Sequence, residues 1–268
     1  EETSRGKLDI KTLGTFRIFV KGKEIPNNEL TRQKRVIDLF KLLIVYRKNG
    51  IAKEIIYDIF WPRYTYKNAR DNLNTLVYRL RKILGEAGDC ISTDLTMVKL
   101  KEGDFTVDVD RFITCYSKGK SAERSGDIQE AVMQYTQAAE IYQGDFLELG
   151  LYIDHIRDER ENLKNKYRQT LLSLAKLELD EKKYQGSLEW AKTLSTFDTL
   201  CEPAYRLMMI ASAFTENRIE INRIYEKLRE NLFEAFNISP DKKTENLRSA
   251  LLTGNPPEPK MWTDETII

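Results

Sequence analysis

The stretch ARDNLNTLVYRLRKILG, residues 69–85, decides the fold of the N-terminal half because it divides into two faces. At 100° per residue, its apolar side chains fall within an arc of about 120°. These side chains are Ala69, Leu73, Leu76, Val77, Leu80, Ile83 and Leu84. The opposite arc holds Asp71, Thr75, Tyr78 and Lys82, flanked by Arg70, Asn72, Asn74, Arg79 and Arg81. The pattern predicts an amphipathic helix that packs through one face.

The polar face of this predicted helix has an unusual composition. An ordinary solvated face is rich in Glu and alternates in charge sign. This face carries a single acid, Asp71, against four bases, together with planar amides, a hydroxyl and a phenol. Such groups hydrogen-bond to base edges and phosphates. Taken alone, the helix therefore leaves two interpretations open: a solvated surface or a nucleic-acid-binding surface.

The distribution of charge along the chain favours the second interpretation. The whole chain has a formal net charge of +1. Residues 1–109 carry 21 Lys+Arg and 15 Asp+Glu, a net charge of +6, whereas residues 110–268 carry 22 and 27, a net charge of −5. Residues 31–82 alone carry 13 bases and 4 acids. A basic segment of this kind is the electrostatic signature of a polyanion-binding surface.

Bulk composition bounds the class of protein. The 268 residues are 41% hydrophobic and 32% charged, which is typical of a soluble globular protein with room for two domains. No apolar run approaches the length of a membrane span, and no signal peptide is apparent, so a cytoplasmic protein without membrane contact is expected. Because the chain begins with Glu1, a fragment or processed chain is expected, and an upstream domain stays an open alternative.

Cysteine and histidine usage argues against metal or disulfide chemistry. Cys90, Cys115 and Cys201 are odd in number and far apart, which fits a reducing compartment and gives no metal-ligand spacing. His155 is the only histidine and is interpreted as a surface or interface residue. We find no glycine-rich phosphate loop, nucleophile elbow or metal constellation, so no cofactor and no enzymatic activity are predicted.

The N-terminal half predicts a winged helix-turn-helix. Residues 8–25 alternate apolar and polar positions and predict two or three short antiparallel strands. Thr31 is predicted to cap a helix over residues 32–46, and a shorter helix over residues 53–61 stops at Pro62. The buried stripe of the first helix is predicted to be Val36, Leu39, Phe40, Leu43 and Ile44. The amphipathic helix and a hairpin with its turn near Asp94 complete the order of a winged helix.

From residue 110 onward the pattern is helical. A turn at Gly126 is followed by Ala131, Tyr135 and Ala138, a spacing typical of the second helix of a tetratricopeptide repeat. Two weaker copies follow, and Tyr184 and Ile219 mark a period of 35 residues. The predicted fold is therefore mainly α with a small β part: a winged-helix domain over residues 1–109, an all-α tetratricopeptide-like domain over 110–254 and an irregular tail over 255–268.

These features together resemble the SARP-type bacterial transcriptional regulators. The resemblance rests on LGTFRIFVKGKEI, on IFWP at residues 59–62, on ARDNLNTLVYRLRKILG and on FTVDVDRF at residues 105–112, followed by SGDIQEAVMQYTQAAEIYQGDFLE. It runs from about residue 8 to residue 254. It implies an OmpR/PhoB-like winged helix joined to a bacterial transcriptional activator domain. It further implies a sequence-specific DNA-binding regulator, expected to activate from tandem direct repeats in promoters and to contact RNA polymerase.

The resemblance also implies roles for individual residues. On the third helix, base readers would be Asn72, Thr75, Tyr78 and Arg79, and phosphate contacts would come from Arg81 and Lys82. Arg70, Asn74 and Lys67 complete the helical part of the candidate DNA-binding set, and Thr93 and Lys99 represent the wing. Asp71 departs from this picture, because a carboxylate repels phosphate unless it accepts from a cytosine amine or pairs with Arg70 or Arg79.

Three rival functions stay open beside a DNA-binding activator. An enzyme lacks any supporting motif. An interaction scaffold would use the tetratricopeptide-like domain to bind a peptide, with a repurposed winged helix. An effector sensor is compatible with DNA binding, and the sequence does not address it. The expected partner is double-stranded promoter DNA, with RNA polymerase and a second copy bound side by side on the DNA as further candidates.

Overall fold

The computed structural model describes residues 7–147, 153–215 and 218–253. They form two compact units. The first contains residues up to 113 together with residues 141–164, and the second contains residues 114–140 and those from 165 onward. The predicted tail over residues 255–268 and the side chain of His155 lie outside the described residues. The domain boundary after residue 109 stays a prediction.

A four-stranded sheet opens the first unit. Strands β1 (Leu8–Lys11), β2 (Arg17–Val20) and β3 (Lys23–Glu24) are antiparallel neighbours, with Leu8 opposite Val20, which confirms the predicted strands. A later strand, β7 (Phe105–Val107), joins the other side of β1 in parallel, with Leu8 opposite Phe105. Leu8, Ile10 and Ile18 are fully buried because alternate side chains of paired strands share one face.

The end of β1 is held by a buried carboxylate and a later segment of the chain. The Asp108 carboxylate accepts hydrogen bonds from the backbone N–H groups of Thr12, at 2.8 Å, and Leu13, at 3.2 Å. The Gly14 N–H donates to the carbonyl of Asp145 at 3.1 Å, and the Leu147 N–H donates to the carbonyl of Thr12 at 2.9 Å. Residues 12–14 are therefore bonded to two stretches far along the chain.

Two helices follow the first three strands, and one sequence prediction is wrong here. Helix α1 (Asn27–Arg32) precedes α2 (Lys34–Val45), so Thr31 lies inside α1 and does not cap the longer helix. Its hydroxyl donates to the Asn28 carbonyl at 3.2 Å. The physical reason is that Pro26, with φ −60°, sets an extended entry from which α1 begins earlier than the apolar stripe suggests. The predicted buried stripe of α2 is confirmed.

The remaining helices of the winged helix match the predicted order. Strand β4 (Ile51–Ala52) leads into α3 (Lys53–Phe60), which ends before Pro62 as predicted. Helix α4 (Tyr66–Leu84) begins earlier than its apolar pattern, because Thr65 caps it and accepts a hydrogen bond from the Asn68 N–H at 3.4 Å. Helix α4 packs on α2 and α3.

The wing is a short hairpin in a second sheet. A 3-10 helix (Gly85–Cys90) connects α4 to β5 (Ile91–Thr93), which pairs antiparallel with β6 (Met97–Leu100). Strand β4 lies on the other side of β6, giving the strand order β4-β6-β5. The hairpin turn falls at residues 94–96, as predicted, so the N-terminal half has the winged-helix fold.

The C-terminal half is helical, as predicted. Its helices are α5 (Asp108–Ser125), α6 (Ile128–Ile141), α7 (Ile153–Asp180), α8 (Tyr184–Phe197), α9 (Glu202–Phe214), α10 (Arg218–Phe236) and α11 (Lys242–Leu252). In the second unit, α9 packs on α8, α10 and α11. Small residues allow close packing: a Cβ added to Gly119 would lie 2.7 Å from the Tyr135 ring. Ala131, Tyr135 and Ala138 are buried, which confirms the predicted stripe of α6.

Candidate nucleic-acid interface

Helix α4 separates its two faces as its sequence predicts. The apolar side is buried against the rest of the winged helix, with Leu80 and Leu84 at 0% exposure and Ile83 half-buried. The polar side faces solvent. The exposed members of the candidate set on this helix are Lys67, Arg70, Asn74, Thr75, Tyr78, Arg79, Arg81 and Lys82, and Asn72 is half-buried. The tyrosine at the centre of the face is 67% exposed, so its ring and hydroxyl are both accessible.

The acid on this face is partly neutralised. The Asp71 carboxylate lies 3.5 Å from the Arg70 guanidinium, so the structure realises one of the two pairings considered from sequence. The Thr75 hydroxyl donates to the Asp71 backbone carbonyl at 3.0 Å, which occupies its proton but leaves its oxygen as an acceptor. An exposed ion pair of this kind is weak and exchangeable, so both partners remain accessible to a ligand.

Arg81 has a role that the helical wheel did not predict. Its guanidinium donates a hydrogen bond to the carbonyl of Ile91, the first residue of β5, at 2.9 Å. Because a guanidinium carries five N–H donors, the remaining donors can still meet a phosphate. Arg81 therefore ties the end of α4 to the start of the wing while the residue stays exposed.

The turn of the wing is ordered by Asp94. Its Oδ1 accepts hydrogen bonds from the N–H groups of Thr96, at 2.9 Å, and Met97, at 2.7 Å. These hydrogen bonds, that of Met97 foremost, lower the pKa of the Asp94 carboxyl. The Lys53 ammonium donates to the Asp94 backbone carbonyl, and Leu95 at the tip is 94% exposed. Thr93 and Lys99, the two predicted wing residues, are exposed on the strands that flank this turn.

Sequence reasoning missed exposed residues just before and at the start of α4. Arg63, Tyr64 and Tyr66 lie in the segment between α3 and the first turn of α4, and the two tyrosines are 57% and 59% exposed. The interleaving of a base with aromatic rings was the signal that could have revealed them. The segment is anchored by Arg35, whose guanidinium donates to the Phe60 carbonyl at 2.6 Å.

The described part of the chain contains neither a cluster of metal-ligating side chains nor a helix that could span a membrane. Within residues 7–147, 153–215 and 218–253, no group of three or more His, Cys, Asp or Glu side chains is arranged to hold a metal ion. Of the helices described, none is long and apolar enough to cross a bilayer.

Comparison with known families identifies the domain to which the helical half belongs. Residues 107–252 match the bacterial transcriptional activator domain, which is more than half of the chain. The chain belongs to this family. The resemblance to SARP-type regulators that the sequence indicated is thereby supported over α5 to α11.

Named relatives of this family member are transcriptional regulators and not enzymes. The chain is 24% identical over 152 residues to the transcriptional regulatory protein EmbR of Mycobacterium tuberculosis, which covers 54% of this chain and 38% of EmbR. It is 23% identical over 150 residues to the transcriptional regulatory protein MoaR1 of the same species, covering 54% and 47% of the two chains. The chain thus spans less than half the length of these relatives.

A solved structure confirms the fold class. The structure of Mycobacterium tuberculosis EmbR in complex with a low affinity phosphopeptide superposes with a TM-score of 0.75 at 19% sequence identity. The match covers 95% of this chain and 67% of that one. A winged helix followed by a helical domain, mainly α with a small β part, is therefore the fold of this member of the bacterial transcriptional activator domain family.

Proposed function

We propose that this protein binds promoter DNA in a sequence-specific manner and regulates transcription, with α4 in the major groove. The observation that carries the proposal is the exposed face of α4, which presents hydrogen-bonding and basic side chains while its opposite face is largely buried. An α-helix fits the major groove, where amide, hydroxyl and guanidinium groups distinguish base pairs. Family membership and regulator relatives support the same conclusion.

Within the face, roles follow from position and from existing contacts. Arg79 makes no hydrogen bond or ion pair with any described residue, so its guanidinium is available to a guanine edge. Tyr78, Thr75 and Asn72 are proposed as further base contacts. Arg81 and Lys82, near the end of the helix, are proposed to hold phosphates.

The wing and the approach to α4 extend the proposed interface along the backbone. Thr93 and Lys99 flank the turn ordered by Asp94, which limits the entropy lost when the wing docks. Lys67 and Arg70 at the start of α4 are proposed to contact phosphates, because phosphate contacts fix the register of a helix on the duplex. The Arg70–Asp71 pair would open when either residue meets DNA.

Regulation is proposed to be activation from tandem direct repeats. One helix and one wing cover a few base pairs, too few to select one promoter among about 10⁶ or more competing sites. A second copy bound head to tail would supply the missing discrimination. Two copies on one face of the duplex require repeats about 10–11 base pairs apart. The helical half would then contact the neighbouring copy and RNA polymerase.

The deciding experiment is selection of sites from a random DNA pool with the full chain, followed by gel shifts of the selected site. We expect one enriched motif whose affinity falls steeply with salt, because counterions are released from the phosphates. Enrichment of no motif, with salt-independent or absent binding, would favour the interaction scaffold instead.

A spacing series tests the tandem arrangement separately. Inserting 5 base pairs between the selected repeats turns one copy to the opposite face, and inserting 10 restores it, since a helical turn is about 10.5 base pairs. We expect binding to collapse with the first insertion and to recover with the second. Indifference to spacing, or a preference for inverted repeats, would reject the tandem arrangement and leave DNA binding itself intact.

A further inference from the structure

A groove on the winged helix has the dimensions of a small-molecule site. It lies between the β1–β2 turn, α1 and α2, and its volume is about 620 Å³. Binding sites for small ligands are typically ~300–1,000 Å³ and combine an apolar wall with a few polar groups. The apolar wall consists of Phe16, Leu30 and Ile37, and the last two are buried.

A buried acid lines this groove without a hydrogen-bond donor. Asp38 is only 6% exposed, and its carboxylate accepts no hydrogen bond and forms no ion pair with any described residue. Desolvation raises the pKa of Asp38, against the opposing influence of Lys41, Lys34 and Arg35. The Asp38 carboxylate oxygens are not among the enclosed polar atoms of the described residues that lack a partner, so they open onto the groove, where a donor on a ligand can replace water. The groove is the side from which that donor can come.

The remaining charged residues of the groove indicate which group a ligand would carry at its other end. Lys34 is exposed in the first turn of α2, where the helix dipole favours a negative charge. Lys34 and Asp38 are one turn apart, about 6 Å along the helix axis. The Lys41 ammonium lies 4.8 Å from the centre of the Phe16 ring. A purely cationic ligand would meet two lysines, and a purely anionic one would leave Asp38 without donors.

We propose that this groove binds a small ligand that combines a flat, apolar body with N–H donors for Asp38 and an anionic group for Lys34. An aromatic amino acid and a purine nucleoside monophosphate share this chemistry. The ring of either would lie against Phe16 and Ile37. The site is formed by residues outside the DNA-facing side of α4, so its occupancy is separate from the proposed DNA contacts.

The test uses the full chain and two families of probe. Amide signals are followed by nuclear magnetic resonance with phenylalanine or guanosine monophosphate at about 5 mM, a concentration that detects millimolar dissociation constants. We expect at least one probe to shift the signals of Thr15, Phe16 and Ile37. Phenylethylamine and 3-phenylpropionate, or guanosine in the nucleotide arm, each lack one of the two recognised groups and should bind about tenfold more weakly.

Two variants isolate the buried acid. Asp38→Asn should weaken the bound probe about tenfold, because it removes the charge from the acceptor. Asp58→Asn, an exposed acid on α3 outside the groove, is the matched control and should bind as the parent does. Absence of shifts with both probes, equal binding of the truncated analogues, or equal binding of the two variants would each overturn the proposal.

Stability without ligand provides a second measurement. Asp38→Leu should raise the melting temperature of the ligand-free protein, since it removes a carboxylate whose ionised form is disfavoured by desolvation. A lower melting temperature for this variant would show that Asp38 already has a structural partner, and the ligand site would then be rejected.

Discussion

Helices α4 and α9 use arginine in opposite ways. On α4, Arg79 projects into solvent with no partner in the described structure, and the charge around it is mainly positive. On α9, Arg206 is 1% exposed, and its guanidinium donates to Thr244 at 2.7 Å and to the Asp241 carboxylate at 3.2 Å. The comparison teaches that burial decides the use of an arginine: a buried one is held by several partners and joins two helices, whereas an exposed one without partners keeps its donors available.

The largest expected effect is on the buried arginine. Arg206→Ala leaves Glu202 and Thr244 without their cation in a packed region between α9 and α11. We expect the free energy of unfolding to fall by about 3 kcal/mol, because breaking a buried pair strands the other charge. Denaturant titration of the full chain gives the measurement. The control is Arg223→Ala, whose side chain is 75% exposed and which should change stability by less than about 0.5 kcal/mol. Equal changes would erase the contrast between the helices.

The next effect is on the exposed arginine. Arg79→Ala should cost about 1–3 kcal/mol on the selected operator, relax its base preference and leave stability unchanged, because the lost contact is a bidentate base contact. Competition gel shifts with selected and random DNA give the measurement. Arg124→Ala, an exposed arginine at the end of α5, serves as the control with unchanged binding. If Arg79→Ala lost affinity equally on selected and random DNA, Arg79 would be a phosphate contact instead.

Arg81 lies between the two extremes and sharpens the comparison. It is exposed, yet it donates to Ile91 of the wing. We expect Arg81→Ala to weaken all DNA alike by about 1 kcal/mol and to lower the salt slope by about one. Hydrogen exchange at the start of β5 should also accelerate, since the wing loses its tie to α4. Unchanged exchange together with unchanged salt dependence would assign Arg81 to neither role.

The smallest expected effect is the pH dependence of the stability that the Arg206–Asp241 contact contributes. Burial acts to raise the pKa of Asp241, but hydrogen bonds from Thr244 and the Arg206 guanidinium outweigh it, and the pKa is lowered. Since the unfolded value is about 3.9, the stabilisation is present at neutral pH and is lost as the pH falls through the lower folded-state value. The stability difference between the parent and Asp241→Asn, measured by thermal melts, should therefore shrink below about pH 4. A difference independent of pH would show that the charge of Asp241 does not contribute.

The two helices also differ in how much of their environment could be predicted from the sequence. The faces of α4 follow from a helical period, which is local, so the buried arc and the exposed candidates were predicted residue by residue. The parallel pairing of β1 with β7 joins residues almost a hundred positions apart. Strand β7 has only three residues, which is too short for an alternating apolar pattern to predict the strand or its partner. Helix α1 begins directly after Pro26, but the sequence prediction placed the start of the helix by the apolar stripe that begins at Val36 and so missed this separate turn of helix. The burial of Arg206 has only one local sign, the partner Glu202 four residues earlier, because its other partners Asp241 and Thr244 lie 35 and 38 residues further along the chain.

The bonds around the end of β1 bear on how such proteins can be recombined. Thr12, Leu13 and Gly14 satisfy their backbone groups with Asp108 and with residues 145–147, all inside the first compact unit. A buried backbone group left without a partner costs stability, so these later residues form part of the winged helix's own scaffold. A chimera that exchanges the winged helix between members of the family should therefore carry residues 141–164 along with residues 1–113. The compact unit that contains the helix-turn-helix is built from two separated stretches of sequence and not from one.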